Sequence, residues 1–182
     1  MVELGFVFIV VAILGSIAWY SYLYGISPTP TSAKVKNCLL RMIPSSFNGK
    51  VIELGSGWGT LAIALAHKLP EKPIDAFEIS LVPYLFSKIY SFIFKSKNLK
   101  IFRADFFSVP IEDYGLVICY LYPKAMDHLK EKFIQELNPG TFIVTHTFAI
   151  QGWEPKQEYI VDDLYRTPIY LYQIHSGSEN RD

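Results

Sequence analysis

Residues 50–60 read Lys-Val-Ile-Glu-Leu-Gly-Ser-Gly-Trp-Gly-Thr, a short apolar run that enters three glycines at alternate positions. A stretch rich in good helix formers follows at 61–67. This order of strand, glycine turn and helix is typical of one βα unit. Glycine lets the backbone approach a ligand, and the helix start behind the turn offers unpaired N–H groups. The stretch therefore predicts a ligand-binding turn in an α/β sheet, with an ordinary turn that binds nothing as the alternative.

The glycine spacing distinguishes among the ligands that use such turns. A dinucleotide-binding turn needs G-x-G-x-x-G, and Thr60 stands where the third glycine would fall. A P-loop needs Gly-Lys-Ser/Thr after the turn, which residues 58–60 do not supply. What remains is an acid followed by alternate glycines, from Glu53 to Gly59. This pattern resembles the first motif of the class I S-adenosylmethionine (SAM) methyltransferases.

Length and charge limit the other possibilities. A chain of 182 residues suits one α/β domain with a sizeable core. Lysine plus arginine equals aspartate plus glutamate at 17 each, so the overall charge does not favour a nucleic-acid partner. Cys38 and Cys119 both lie in apolar surroundings, which indicates reduced buried thiols rather than a disulfide or a metal site. We predict no bound metal.

The N-terminal segment predicts a membrane anchor. No charged residue occurs from Leu4 to Ile26, a length that can cross a bilayer as a helix and that ends in a cluster of tyrosines. A cleaved signal peptide would carry basic residues before its apolar core, and only Glu3 is there. We therefore expect an uncleaved transmembrane anchor at 1–26, with a buried core helix as the alternative.

The residues after this segment predict its orientation and the domain boundaries. Lys34, Lys36 and Arg41 follow the apolar run, and positive charge favours the cytoplasmic side. We expect a single-pass membrane protein with its domain, 27–175, on that side, or on the matrix side if the protein is mitochondrial. The remaining residues, 176–182, are polar and predict a disordered tail.

Strand and helix patterns alternate along the domain. Helices are predicted at about 33–43, 61–68, 81–94 and 124–137, and strands at about 51–54, 74–79, 99–103, 114–122, 141–148, 157–161 and 169–174. This order predicts a doubly wound, mostly parallel seven-stranded α/β sheet of Rossmann-like type, ending in a hairpin.

Chemically useful side chains fall at the carboxyl ends of five predicted strands. Glu53, Glu78, Asp105, Tyr120 and His146 occupy these positions. Ligands of doubly wound sheets bind at that edge, where an acid after the second strand reaches ribose hydroxyls. An acid after the third strand can accept a hydrogen bond from an adenine amino group. Their convergence favours a nucleoside-containing ligand.

The predicted helix at 81–94 is apolar most of the way round and is followed by Lys95, Lys97 and Lys100. A surface helix normally keeps one face polar. The helix is therefore either enclosed between the sheet and a neighbouring element, or its outer aromatic side chains and basic end contact a membrane.

Taken together, these motifs resemble those of membrane-anchored class I methyltransferases related to the ATP synthase c-subunit lysine methyltransferase. The resemblance covers about 27–174 plus the anchor. It rests on Pro28-Thr-Pro-Thr31, Glu53-Leu-Gly-Ser-Gly-Trp-Gly59, Phe77-Glu78-Ile79 with Pro83, Arg103-Ala-Asp105-Phe, Tyr114 through Pro123, Leu137-Asn-Pro-Gly-Thr141, and Phe148 with Trp153.

The resemblance implies a function and a set of site residues. It implies a SAM-dependent methyltransferase that acts on protein lysine near a membrane. The implied cofactor contacts are Thr31, Glu53, Gly55, Ser56, Gly57, Gly59, Glu78, Ile79, Asp105 and Tyr120. If lysine is the acceptor, Tyr120, Tyr122 or His146 could position or desolvate its amine, and packing is the alternative role for each.

Two departures from related enzymes qualify the expected chemistry. Trp58 occupies a position that is often small or acidic, so it is expected to form a wall of the pocket. The fourth strand ends in Tyr-Leu-Tyr-Pro123 rather than the Asp/Asn-Pro-Pro-Tyr of adenine and glutamine methyltransferases, which disfavours those acceptors. A small or lipid-like acceptor and a non-catalytic SAM-fold module stay open as alternatives.

Overall fold

The computed structural model describes residues 2–24 and 30–175 and, within the N-terminal helix, only part of the side chains. The helices are α1 Val2–Tyr24, α2 Ala33–Met42, α3 Thr60–Lys68, α4 Leu81–Ile93 and α5 Pro123–Glu136. The strands are β1 Lys50–Leu54, β2 Ile74–Phe77, β3 Leu99–Phe102, β4 Tyr114–Cys119, β5 Phe142–His146, β6 Gln157–Ile160 and β7 Pro168–Gln173, and a short 3-10 helix spans Phe106–Ser108. The predicted tail at 176–182 and the predicted boundary after residue 26 lie outside the described residues.

The seven strands form one sheet in the order β3-β2-β1-β4-β5-β7-β6. The five strands from β3 to β5 are parallel, whereas β7 is antiparallel to both β5 and β6. The predicted parallel sheet with a terminal hairpin is thus confirmed. The chain winds outward in one direction through β2 and β3 and in the other through β4 and β5. This reversal between β1 and β4 is where doubly wound folds bind ligands.

Alternate residues of the central strands face the two sides of the sheet, as the pleat requires. Val51 packs in a core with α2 and α3, whereas its neighbour Ile52 packs in a core with α5. Every residue of β4 is buried, which explains its continuous apolar sequence. The sheet is therefore the middle of three layers, and its covered faces fix the positions of the strand ends.

Helix α4 lies on the same side as α3 but is covered on its inner face alone. Its buried residues are Pro83 and Ser87, and Tyr84 and Tyr90 are partly buried against the core. Its outer apolar side chains are exposed to solvent. The interpretation of this helix as enclosed between the sheet and a neighbouring element therefore does not hold for its outer apolar side chains, which stay exposed although α1 contacts the helix.

Helix α1 is 23 residues long and contacts α4. Among the residues that the structure describes, no helix combines the length and the apolar character needed to cross a membrane. The structure therefore does not support the predicted transmembrane anchor.

Candidate active site

A cleft opens at the carboxyl ends of β1, β2 and β4, at the reversal of strand order. Its empty space, open solvent included, is about 1110 Å³. Most of the predicted site residues line it: Thr31, Glu53, Gly55, Ser56, Gly57, Glu78, Ile79, Asp105, Tyr120 and Tyr122. Gly59 and His146 are not among the lining residues.

The glycine turn opens the backbone to this cleft. Gly57 has φ +52°, and a methyl group built on it would meet nothing within 4 Å. Its backbone conformation, rather than packing, therefore favours glycine, and the space beside it stays free for a ligand. Gly59 is different, because a methyl group built there would lie 2.7 Å from Cβ of Ser87. Gly59 thus lets α3 and α4 approach each other, which is a packing role, and its predicted cofactor contact stays a prediction.

Glu78 connects the end of β2 to the glycine turn. Its Oε2 accepts a hydrogen bond from the Gly57 amide at 2.8 Å, and its Oε1 accepts one from the Ser80 amide at 2.7 Å. Each carboxylate oxygen can accept a further hydrogen bond. Glu78 therefore fixes the turn and keeps acceptor capacity for a ligand hydroxyl in the cleft.

Glu53 is buried beside Glu78 with one oxygen left without a partner. The residue is 4% exposed, and its Oε2 makes no hydrogen bond to any described residue. Burial, and secondly the negative charge of Glu78, raises the pKa of the Glu53 carboxyl from 4.5 to about 8. At neutral pH this side chain is mainly protonated and can donate a hydrogen bond into the cleft.

The unpartnered groups of the cleft fit a polar, cationic ligand such as SAM. The Ser56 hydroxyl is buried and, like Oε2 of Glu53, has no partner in the described ranges. Leaving a buried polar group unsatisfied costs about 1–3 kcal/mol, which a ligand could recover. A cationic ligand would also offset the proximity of two buried carboxyl groups. The open space beside Gly57 gives such a ligand access to the backbone.

Aromatic side chains also line the cleft. Asp105 is exposed, and its Oδ1 accepts a hydrogen bond from the Phe107 amide at 2.9 Å. This bond begins the 3-10 helix, which brings Phe106 and Phe107 to the cleft. Trp58 also lines the cleft, as predicted, and its ring meets Phe86 edge to face at 5.3 Å.

Tyr120 and Tyr122 enter the cleft from the end of β4, whereas His146 lies behind Tyr120. The His146 ring stacks on Tyr120 with centroids 4.2 Å apart and planes 16° apart. Its Nδ1 lies 3.2 Å from Oγ1 of Thr147, and its Nε2 is buried with no hydrogen-bond partner among the described residues. Burial lowers the pKa of His146 to about 4, so the ring is neutral at pH 7. Its predicted catalytic role stays a prediction, and the geometry favours a role in positioning Tyr120.

Other lining residues were not among those predicted for the site. They belong to helices, loops and the end of β4 that surround the glycine turn. These residues are Tyr20, Pro30, Thr60, Leu61, Ser80, Phe106, Phe107, Ile118, Cys119, Leu121 and Ala125. Phe106 and Phe107 directly follow Asp105 in the sequence, and this position could have predicted that they line the cleft. Within the described residues, no group of three or more His, Cys, Asp or Glu side chains could hold a metal ion.

Comparisons with known proteins agree on one family. Residues 53–157 match the family model described as the ANTKMT methyltransferase domain. A protein of Saccharolobus islandicus (strain REY15A) named protein-lysine N-methyltransferase is 31% identical over 158 residues, which are 85% of this chain and 97% of that protein. A Mus musculus protein named adenine nucleotide translocase lysine N-methyltransferase is 28% identical over 110 residues, 59% of this chain but only 47% of that protein.

The fold is also shared with a solved methyltransferase. The crystal structure of an RNA methyltransferase from Salinibacter ruber with S-adenosyl-L-homocysteine has a TM-score of 0.71 to this chain at 21% identity. The alignment covers 82% of this chain and 95% of that one, and it establishes the fold alone. The match to the family model begins at Glu53 and includes the glycine turn, Glu78 and the strand ends that form the cleft. The chain therefore belongs to the ANTKMT type of class I SAM-dependent methyltransferases, with SAM as its cofactor.

Proposed function

We propose that this enzyme methylates the side-chain amine of a lysine in a protein. The observation that carries the proposal is the 31% identity to an archaeal protein named protein-lysine N-methyltransferase, which extends over 97% of that protein's length. The mouse relative is also named for lysine methylation. The resemblance found in the sequence motifs points to the same acceptor.

The aromatic side of the cleft suits an amine acceptor. Lysine is a nucleophile only after its ammonium loses a proton. An ammonium that enters among the lining side chains Tyr120, Tyr122 and Phe107 loses part of its hydration, which lowers its pKa, so its proton passes to bulk water before the amine attacks. The tyrosine hydroxyls can accept hydrogen bonds from the amine and direct its lone pair. This arrangement makes a neutral amine available without a buried basic side chain.

The glycine turn and the polar side chains at the strand ends suit the cofactor. SAM supplies an electrophilic methyl group on a sulfonium, and the protein supplies alignment for an in-line displacement. In the proposal, Glu78 uses its remaining acceptor capacity for the ribose hydroxyls, and Asp105 accepts from the adenine amino group. Glu53 and Ser56 satisfy polar groups of the ligand at the base of the turn. His146 acts on Tyr120 through ring stacking and does not accept a proton from the substrate.

We also propose membrane attachment through α1, as a single-pass anchor with the catalytic domain on the cytoplasmic or matrix side. The support is in the sequence, which has no charge from Leu4 to Ile26 and three basic residues within 34–41. Extraction of native membranes at alkaline pH tests this attachment. The proposal expects the full chain to stay in the membrane pellet, and its release to the supernatant would contradict an anchor.

Methyl-labelled SAM identifies the acceptor. Purified full-length protein would be incubated with labelled SAM and a cell extract that contains both membranes and soluble proteins. The proposal expects label in protein that is recovered as methyl-lysine after hydrolysis. Label in the lipid extract would instead indicate a lipid-like acceptor. SAM binding without transfer to any fraction would indicate a non-catalytic module.

A further inference from the structure

Helix α4 exposes a continuous apolar stripe. Its members are Leu81, Leu85, Ile89, Phe92 and Ile93, whose spacing places them on one side of the helix. Phe92 is 84% exposed, Ile93 62% and Ile89 61%. A helix on the surface of a soluble domain normally presents polar side chains there. Such a patch marks an interaction surface.

Basic residues accompany the stripe without any acid. Between Glu78 and Asp105 the sequence has no aspartate or glutamate, although the whole chain has equal numbers of acidic and basic residues. Lys88 is exposed on α4, and three further exposed lysines follow the end of the helix, at positions 95, 97 and 100. The positive charge is therefore concentrated at this part of the surface. In the described part of the chain, none of these four ammonium groups pairs with a carboxylate.

Helix α1 contacts α4 and also exposes apolar side chains. The two helices are in contact, and Nη2 of Arg103, just after β3, donates a hydrogen bond to the Tyr20 hydroxyl at 3.3 Å. Among the described side chains of α1, Val7, Phe8, Val11 and Trp19 are exposed. Both helices in contact therefore expose apolar side chains, and the exposed lysines lie on α4 and just after its end.

We propose that α4 lies on the surface of an anionic lipid bilayer, with its apolar stripe in the interface and its lysines at the phosphate groups. An amphipathic helix with cations at its border binds lipid in this way. A polynucleotide would require polar and cationic side chains where this stripe has leucine, isoleucine and phenylalanine. A convex helix face also offers no pocket to anchor a protein partner. The inference adds a second contact to the proposed attachment through α1 and is tested separately from it.

The contact would set the position of the cleft. Ser80, the residue directly before α4, lines the cleft, and so does Tyr20 of α1. A bilayer against both helices therefore holds the cleft close to the lipid surface. Acceptor lysines would lie at or near that surface, whether in a membrane protein or in a protein bound to the membrane.

The test places a fluorophore on the stripe of the full-length protein. Phe92→Cys would be labelled in a Cys38→Ser background, since the other cysteine, Cys119, is buried. The matched control is Ile134→Cys, an exposed apolar position near the end of α5, on the other side of the sheet. Quenching by lipid-borne quenchers would be measured in vesicles of phosphatidylcholine with and without phosphatidylglycerol.

The proposal expects quenching at position 92, stronger with phosphatidylglycerol, and little at position 134. Replacing Lys88, Lys95, Lys97 and Lys100 by glutamine should weaken the binding of α4 to phosphatidylglycerol vesicles, read from the quenching at position 92, by roughly five-fold in binding constant per lysine while leaving thermal stability unchanged. Equal quenching at both positions, or none at position 92, would overturn the proposal. Protection of position 92 only when membrane proteins are added would also overturn it in favour of a protein partner. Release of the protein from membranes at alkaline pH would contradict only the proposed α1 anchor. The proposal for α4 would still stand if lipid quenching at position 92 persisted.

Discussion

Replacing Glu53 by glutamine should change how the stability of the folded protein depends on pH. Each pKa unit corresponds to about 1.4 kcal/mol. A carboxyl pKa raised from 4.5 to about 8 means that ionised Glu53 destabilises the folded state by at most about 5 kcal/mol. The folded state keeps this proton while the unfolded chain loses it. The contribution of Glu53 is therefore fully present below about pH 4.5 and is lost as pH rises towards 8.

The His146 ring gives the opposite dependence over part of this range. Its pKa is lowered from 6.5 to about 4, so its contribution is present above pH 6.5 and is lost as pH falls through 4. Comparing each variant with wild type at the same pH removes this shared term. The difference between Glu53→Gln and wild type therefore isolates the carboxyl.

The assay is urea denaturation of the full-length protein without SAM at several pH values from 5 to 8. We expect the stability of Glu53→Gln relative to wild type to increase by about 1.4 kcal/mol per pH unit at most, flattening above pH 8. Glu71→Gln, which changes an exposed acid in the turn after α3, is the control and should show no such trend. A flat difference for Glu53→Gln across this range would refute the assignment of a buried, protonated carboxyl. A decreasing difference would refute it as well.

Further predictions concern the turn, the stacked ring and a half-buried amide. Gly57→Ala should lower the free energy of unfolding by about 1–2 kcal/mol, because an L residue is forced into the left-handed region, and it should weaken SAM binding. Gly59→Ala should lower the melting temperature more than Gly57→Ala does, because its methyl group collides with α4. His146→Ala should lower kcat, because Tyr120 loses the ring that stacks on it. The shape of the pH–rate profile from pH 6 to 9 should stay unchanged, since the His146 ring is already neutral there. Loss of a titration step from that profile would instead show that His146 acts as a base. Asn98→Ala should lower the free energy of unfolding by about 2–3 kcal/mol in urea, because its side-chain amide donates to three backbone carbonyls near the end of α3; an unchanged denaturation midpoint would contradict this.

The strand ends were predictable because local sequence determines them. Alternating glycines after an apolar run identified the turn at Gly55 to Gly59, and the spacing from Glu53 to Glu78 placed one βαβ unit. The carboxyl ends of parallel strands meet at one edge, so the convergence of Glu53, Glu78, Asp105 and Tyr120 followed from topology alone.

Features that depend on packing between distant segments could not be predicted from these patterns. Gly59 is predicted as a cofactor contact, and the sequence does not show that Ser87 of α4 packs against it. His146 was placed at the correct strand end, yet the sequence does not show that its ring stacks behind Tyr120. Tyr20 belongs to a helix outside the strand order, and no spacing rule connects it with the cleft.

The apolar helix α4 shows a related difficulty. Its composition indicated burial, but its outer apolar side chains stay exposed although α1 contacts the helix. Composition therefore identified the apolar helix but not its environment.

Calorimetric titration of SAM into the wild-type protein and Glu78→Ala tests the central assignment most directly. Glu78 holds the amides of Gly57 and Ser80 and faces the cleft, so its loss removes both the support of the turn and a ligand contact. Glu158→Ala, at an exposed position on the edge strand β6, is the matched control. We predict binding of one SAM per chain to wild type and to the control, and at least roughly ten-fold weaker binding to Glu78→Ala, the loss expected from one charged hydrogen bond of about 1.5–3 kcal/mol. Equal affinity of Glu78→Ala and wild type for SAM would contradict the assignment of this cleft as the cofactor site.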